Sequence, residues 1–311
     1  MLIKMLRRCF TTSLKKIGFI GVGNMGAGMA ANLLKNGFQV KAFDLHTAAV
    51  DNLVSLGATK ASTVQAAAEG AQAVILMLPN TKDVEKVVAG PQGIQSVLGA
   101  GALVIDSSTI SPFGSRKLAE DLKTRNVHFI DAPVSGGTMG AKLGTLTFMV
   151  GCSEATFELA KPVLHGMGKN IIYCGLNGAG LVVKICNNLS LAMINIATCE
   201  AMNLGLKMGL DGKKLYEVMS VSTARSWPMD TTNPVPGVLP NAPSTRGYEG
   251  GFGTGLMAKD LGLALEIAQE CGAQTILGGR ALDLYKQVMD SGAAGKDFGY
   301  VYQLMSKNQL K

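Results

Sequence analysis

Histidine is scarce in this sequence: three in 311 residues, at positions 46, 128 and 165. So few and so widely separated, they give a metal ion no cluster of ligands, and no metal centre is expected. Six cysteines (9, 152, 174, 186, 199 and 271) show no C-x-x-C spacing. Lying mostly among apolar neighbours, they read as reduced core residues, which fits a matrix or cytosolic compartment. Internal repeats, low-complexity tracts and long linkers are also absent, and the 39 glycines are spread over turns and helix ends. A content of 47% hydrophobic residues argues for a well-buried globular protein, long enough for two domains.

The formal charge of +7 belongs largely to one segment. "MLIKMLRRCFTTSLKK" holds five basic residues and no acid, and without them the balance is an ordinary +2. No basic stripe interleaved with aromatics remains, so nucleic acid is not an expected partner. Within the segment Leu2, Met5, Leu6 and Phe10 alternate with Lys4, Arg7 and Arg8 as an amphipathic helix would. It lacks the continuous apolar core of a secretory signal, and Arg8-Cys9-Phe10 before Thr11-Thr12-Ser13 resembles a mitochondrial cleavage site. Residues 1–15 are therefore expected to be a presequence directing the chain to the mitochondrial matrix. A basic start of a cytosolic protein is the alternative.

The folded part opens with the apolar strand Ile17-Gly18-Phe19-Ile20, followed by Gly21-Val22-Gly23-Asn24-Met25-Gly26 and a helical stretch ending at Gly37. A G-x-G-x-x-G alone is weak evidence. Here it leaves a strand, enters a helix and leads to a second strand, "QVKAFD", the setting a dinucleotide-binding turn requires. Gly21 makes the tight turn, Gly23 lets the backbone approach a pyrophosphate, and Gly26 lets the helix pack on the strand. The helix N-terminus then offers N–H groups and a positive dipole end to the phosphates. Asp44 closes the second strand, where its carboxylate would accept hydrogen bonds from the adenosine ribose and repel a 2′-phosphate. With no arginine after it, NAD is expected rather than NADP.

Two further buried-strand runs, "AVILMLP" (73–79) and "ALVIDSST" (102–109), alternate with helical segments near 81–88 and 111–124. Leu78, Pro79 and Thr109 stand where such strands end in the ligand crevice, and are candidate cofactor contacts. "VHFIDAPVSGG" (127–137) adds a strand ending in Ser135-Gly136-Gly137, whose hydroxyl and backbone N–H groups would receive a carboxylate or carbonyl oxygen. "LTFMVG" and "NIIYCG" complete the strands.

From Gly178 onward strand patterns vanish, and residues 180 to 208 read as one long helix. Its apolar run is long enough for a membrane span, but Lys184, Asn187, Asn188 and Asn195 interrupt it, so a buried helix between domains is the better reading. At 100° per residue Lys184, Asn188 and Asn195 share one narrow face, with Asn187 and Thr198 at its edge. Such a stripe is what a solvated face with an outward-reaching lysine would also give. One lysine among amides, however, suits a polar pocket. In a crevice, a desolvated Lys184 would take a substrate's proton while NAD takes the hydride and Asn188 orients both.

G-V-G-N-M-G (21–26), D-A-P-V-S-G-G (131–137), G-A-G-L-V-V-K-I-C-N-N (178–188) and G-G-F-G-T-G-L-M-A-K-D-L (250–261) together resemble the β-hydroxyacid dehydrogenase family, from about residue 16 to the end of the chain. The resemblance implies an α/β fold: a Rossmann-type doubly wound sheet over 16–178, a long interdomain helix, and an all-α substrate and oligomerisation domain over 179–311. It implies a small hydroxyacid substrate, no membrane partner, and a homodimer or homotetramer. By the same likeness Lys184 is the catalytic lysine, Asn188 its partner, and Ser135, Gly136 and Gly137 hold the substrate carboxylate. Lys259 lies close to nicotinamide and substrate, and Trp227 and Phe252 are either pocket walls or core aromatics. One stretch departs from the family: Ser226-Trp227-Pro228-Met229 stands where Cys-Trp-Ser-Ser is usual, and the rigid Pro228 would reshape the substrate entrance. Two other readings stand beside this one. An NADPH-dependent reductase of glyoxylate or small semialdehydes is opposed by Asp44. A non-catalytic dinucleotide-binding scaffold is opposed by Lys184 with its asparagine.

Overall fold

The computed structural model describes residues 14–310. Of the expected presequence, all but the last two residues lie outside this range. The chain forms two compact units, one ending at Lys184 and the other beginning at Ile185.

The first unit is built on strands β1 (Lys16–Ile20), β2 (Gln39–Phe43), β3 (Thr59–Lys60), β4 (Ala73–Leu76), β5 (Leu103–Asp106), β6 (His128–Asp131), β7 (Val134–Ser135), β8 (Leu146–Gly151) and β9 (Gly168–Gly175). Between them run α1 (Gly26–Lys35), α2 (Thr47–Val54), α3 (Val64–Ala68), α4 (Thr81–Ala89), α5 (Pro112–Lys123), α6 (Gly137–Leu143) and α7 (Glu154–His165). The strand order is β3-β2-β1-β4-β5-β6-β8-β7, with β9 beside β8. From β3 to β6 every pair is parallel; β8 meets β6 and β7 antiparallel.

Alternation of side chains along the parallel strands explains why both faces are covered. Ile17, Phe19, Ala73, Ile75, Leu103 and Ile105 point to one face, where Met29 and Leu33 of α1, Val50 and Leu53 of α2, and Val163 and Leu164 of α7 close over them. Ile20, Val74, Leu76 and Val104 point to the other, under Ala67 of α3, Val84 and Val88 of α4, and Leu118 and Leu122 of α5.

The long helix α8 (Ala179–Lys207) carries the chain out of the first unit. Among the described residues the second unit is helical, with α9 (Gly212–Met219), α10 (Trp227–Thr231), α11 (Thr254–Cys271), α12 (Ile276–Val288) and α13 (Val301–Ser306). Its core gathers Ala192, Cys199 and Met202 of α8 with Met257 and Leu261 of α11, Tyr285 of α12, and Phe298. By length and composition α8 is apolar enough to cross a membrane. Lys184, Asn188, Asn195 and Thr198, however, are turned into the protein. The Asn195 amide donates to the Tyr285 hydroxyl (3.0 Å) and to the Phe298 carbonyl (3.3 Å) in the middle of this core.

The expectation for the cysteines needs correcting. Cys152 and Cys199 are buried, but Cys186 on α8 and Cys271 at the end of α11 are exposed; none of the described cysteines is in a disulfide. Apolar neighbours in sequence misled at these two positions, because residues next to one another on a helix face in different directions.

Candidate active site

Strands β1 and β4 are neighbours although β2 and β3 intervene in sequence, so the connections leave them in opposite directions. A crevice at the C-terminal strand ends follows from that topology. The candidate cofactor residues collect there. The Gly21 N–H donates to the Phe43 carbonyl (3.0 Å) and the Met77 N–H to the Ile20 carbonyl (3.0 Å), tying the ends of β1, β2 and β4. The Leu78 N–H donates to the Ser108 hydroxyl (2.8 Å), and the Ser108 N–H to the Asp106 carboxylate (3.0 Å), which joins the end of β5. Pro79 and Thr109 follow in the same two loops.

Within the glycine turn the three positions have different surroundings. A Cβ on Gly26 would stand 2.0 Å from the Gly21 carbonyl oxygen, so nothing larger than hydrogen fits where α1 packs onto the turn. A Cβ on Gly23 would meet no atom within 4 Å. Its bareness is not needed for packing; it leaves the backbone open to an incoming group. No side chain caps α1, so the N–H groups of its first turn stay available to an anion beside the glycine turn. These features fit a pyrophosphate. Asp44 directly follows β2; one carboxylate oxygen accepts from the Val22 N–H (2.7 Å), the other from the His46 N–H (2.8 Å). The carboxylate is thus fixed beside the turn, with lone pairs left for ribose hydroxyls.

At the other candidate binding element, Ser135 ends β7, and Gly136 (φ +130°) and Gly137 (φ +61°) carry the chain into α6. Both are conformations that a side chain disfavours. The serine hydroxyl and successive backbone N–H groups emerge together at this turn.

The polar stripe of α8 is buried: Lys184 is 8% exposed, Asn188 2%, Asn195 0% and Thr198 5%. The solvated-face alternative therefore falls. Asn187, at the edge, is exposed, and its amide donates to the Asn188 carbonyl oxygen (3.1 Å).

In the second unit the Asn188 amide donates to the Asp260 carboxylate at 2.6 Å. Because an ionised carboxylate only accepts, this bond fixes which way the amide is turned. The other Asp260 oxygen lies 3.2 Å from Lys259 Nζ. A single buried acid, 2% exposed, thus holds two of the candidate residues, Asn188 and Lys259. Sequence reasoning gave Asp260 no role. The signal was present: it shares a helical face with Met257 and Ala264, both buried, where an unpaired acid would not be tolerated.

Trp227 opens α10 and is 51% exposed, so it is not a core aromatic. Phe252 instead packs on the core, edge-on to Phe298 with ring centroids 6.2 Å apart. Pro228 occupies the first turn of α10, where a missing N–H costs nothing, and the Ser226 hydroxyl caps that turn by accepting from the Met229 N–H at 3.3 Å.

Comparison with known proteins adds to this geometry. Residues 16–175 match the family described as the NAD binding domain of 6-phosphogluconate dehydrogenase. Residues 178–305 match the one described as NAD-binding of NADP-dependent 3-hydroxyisobutyrate dehydrogenase. The chain is 45% identical to a probable mitochondrial 3-hydroxyisobutyrate dehydrogenase of Dictyostelium discoideum, over 99% of this chain and 96% of that one. It is 46% identical to an NAD-dependent L-serine dehydrogenase of Pseudomonas aeruginosa, over 95% and 99%. Among solved structures, the 3-hydroxyisobutyrate dehydrogenase of Mycobacterium tuberculosis with L-serine is similar at a TM-score of 0.87 and 38% identity, covering 94% of this chain and 99% of that one.

Proposed function

The chain belongs to the β-hydroxyacid dehydrogenase family, and on that premise we propose that it oxidises 3-hydroxyisobutyrate to methylmalonate semialdehyde in the mitochondrial matrix, a step of valine breakdown. Its cofactor is NAD. The observation that carries the catalytic reading is the burial of Lys184 and Asn188, one turn apart on one face of a mostly apolar helix.

Bound NAD supplies the acceptor for the hydride that leaves the carbinol carbon. Lys184 Nζ takes the hydroxyl proton in oxidation and returns it in reduction. Asn188, its amide held by Asp260, orients the reacting oxygen. Ser135 and the N–H groups of Gly136 and Gly137 receive the substrate carboxylate, and we assign Lys259 and Trp227 to substrate contact as well. Gly21 to Gly26, Asp44, Leu78, Pro79 and Thr109 would hold the dinucleotide, and we assign Lys259 to it as well. The exposed apolar side chains Leu204, Met208, Val221, Ile276 and Leu277 of the second unit support a homodimer or homotetramer.

L-serine is the second reading, favoured by the Pseudomonas relative. Both molecules are primary alcohols two bonds from a carboxylate-bearing carbon; they differ in a methyl against an ammonium. An apolar wall binds the first and rejects the second, since an unpaired ammonium keeps its hydration cost. Following NADH absorbance over a panel of small hydroxyacids tests this. The expected kcat/KM for 3-hydroxyisobutyrate exceeds that for L-serine by about tenfold or more. A preference for L-serine would remove the substrate assignment and leave the reaction class; faster NADPH-linked reduction of glyoxylate would remove both.

One of the matching families carries NADP in its description, which makes Asp44 worth testing directly. Wild-type turnover is expected to favour NAD over NADP by about a hundredfold. Asp44→Ser, which removes the charge facing a 2′-phosphate, should narrow that ratio by about tenfold, roughly the 1.4 kcal/mol of one screened charge contact. An unchanged ratio would place cofactor choice elsewhere.

A further inference from the structure

We propose that Asp131 is the positioning residue of Lys184: its carboxylate docks the first turn of α8 onto the end of β6 and so fixes the lysine one turn further along. This rests on the catalytic reading of Lys184 given above. Asp131 is the last residue of β6 and is fully buried. One of its oxygens accepts from the Gly178 N–H at 2.6 Å and the other from the Leu181 N–H at 3.1 Å. These are amides that a helix leaves unpaired at its N-terminus, where the dipole also favours a negative charge.

Helices normally satisfy those amides with a cap from the adjacent sequence. Gly178 stands at that place in α8 and has no side chain to offer, and the Asn177 side chain before it donates to the Phe129 carbonyl (2.8 Å). A carboxylate about fifty residues upstream does the capping instead. Unlike a local cap, it ties the helix to a particular strand end. The surroundings are shaped for this joint. A Cβ on Gly180 would stand 2.1 Å from the Met149 carbonyl oxygen and 2.9 Å from an Asp131 oxygen, and one on Gly151 would stand 2.5 Å from the other face of the carboxylate. Glycines on the helix and on β8 thus let three segments close around one acid. Burial pushes the Asp131 carboxyl up to about 6, against the four backbone N–H groups that favour its charge, so it is ionised at neutral pH.

A near-isosteric change separates positioning from simple support. Both oxygens accept from backbone N–H groups, so an asparagine keeps one bond and turns its NH2 toward the other donor, which loosens the joint without emptying the space. Asp131→Asn is therefore expected to lower Tm by only a few degrees, leave the Kd for NAD within about twofold, and lower kcat about ten- to a hundredfold. Hydrogen exchange at the amides of residues 178–184 should accelerate in the variant. If the variant fails to fold, or loses NAD affinity together with kcat, Asp131 is a structural residue and the proposal is overturned. Unaltered exchange removes the docking, whatever the substrate proves to be; faster exchange with full kcat removes the positioning. Gly180→Ala leaves the acid in place and displaces the same helix turn, so a wild-type kcat there also counts against the proposal. Wild-type protein without turnover on any hydroxyacid would sink the functional reading, and the exchange measurement would still decide the joint.

Discussion

Lys184→Ala is expected to lower kcat by about a thousandfold, within the range that removal of a general acid–base group produces. Apart from Lys259 on α11, the residues assigned to the dinucleotide lie on the turn after β1 and at the ends of β2, β4 and β5, so the Kd for NAD should stay within about twofold. Folding should survive as well. The substitution puts the strongest helix former into a long helix. Lys184→Arg sharpens the experiment. A guanidinium keeps the positive charge but cannot give up its proton at any working pH, so it can attract a carboxylate and cannot act as a base. Loss of turnover in both variants identifies proton transfer; recovery in the arginine variant would reduce Lys184 to an electrostatic anchor. Steady-state rates alongside calorimetric NAD titration make the distinction, and an alanine variant retaining more than about a tenth of the rate would favour a scaffold over an enzyme.

Much of the first unit could be read from its residues because parallel strands covered on both faces need unbroken apolar runs, and Ile17 to Ile20, Ala73 to Leu76 and Leu103 to Ile105 are such runs. The long helix was legible for a related reason: nothing between Ala179 and Lys207 breaks it, and Lys184, Asn188 and Asn195 fall on one face. What escaped was set by partners distant in sequence. Asp260 meets Asn188 across 72 residues and Asp131 meets Gly178 across 47, and neither spacing carries a local period. The exposure of Cys186 and Cys271 was hidden in the same way, since composition around a residue does not say which side of a helix it takes. Helices α2, α3, α6 and α7 gave little signal of their own, being five to twelve residues long. Their place is decided by the sheet they cover rather than by propensity.

Gly23→Ala and Gly26→Ala should fail in different ways, although both alter the same turn. At Gly26 the new methyl would lie 2.0 Å from the Gly21 carbonyl oxygen, a backbone atom that cannot swing aside. Helix α1 must then lift from the turn, a displacement costing about 2–3 kcal/mol and visible as a fall in Tm of roughly 5–10 °C even without cofactor. At Gly23 the methyl meets no atom within 4 Å and the backbone is not in the left-handed region, so the cofactor-free Tm should move by about 1 °C at most. Its cost appears only when a pyrophosphate approaches. Wild-type protein with NAD at a hundred times Kd should be stabilised by about 2.7 kcal/mol, and Gly23→Ala should lose most of that protection. Thermal unfolding of the three proteins with and without NAD separates the effects. If NAD still protects Gly23→Ala fully, the open space beside that glycine is not where the phosphates lie. The dinucleotide would then have to approach the strand ends without the close backbone contact that the bare glycine permits.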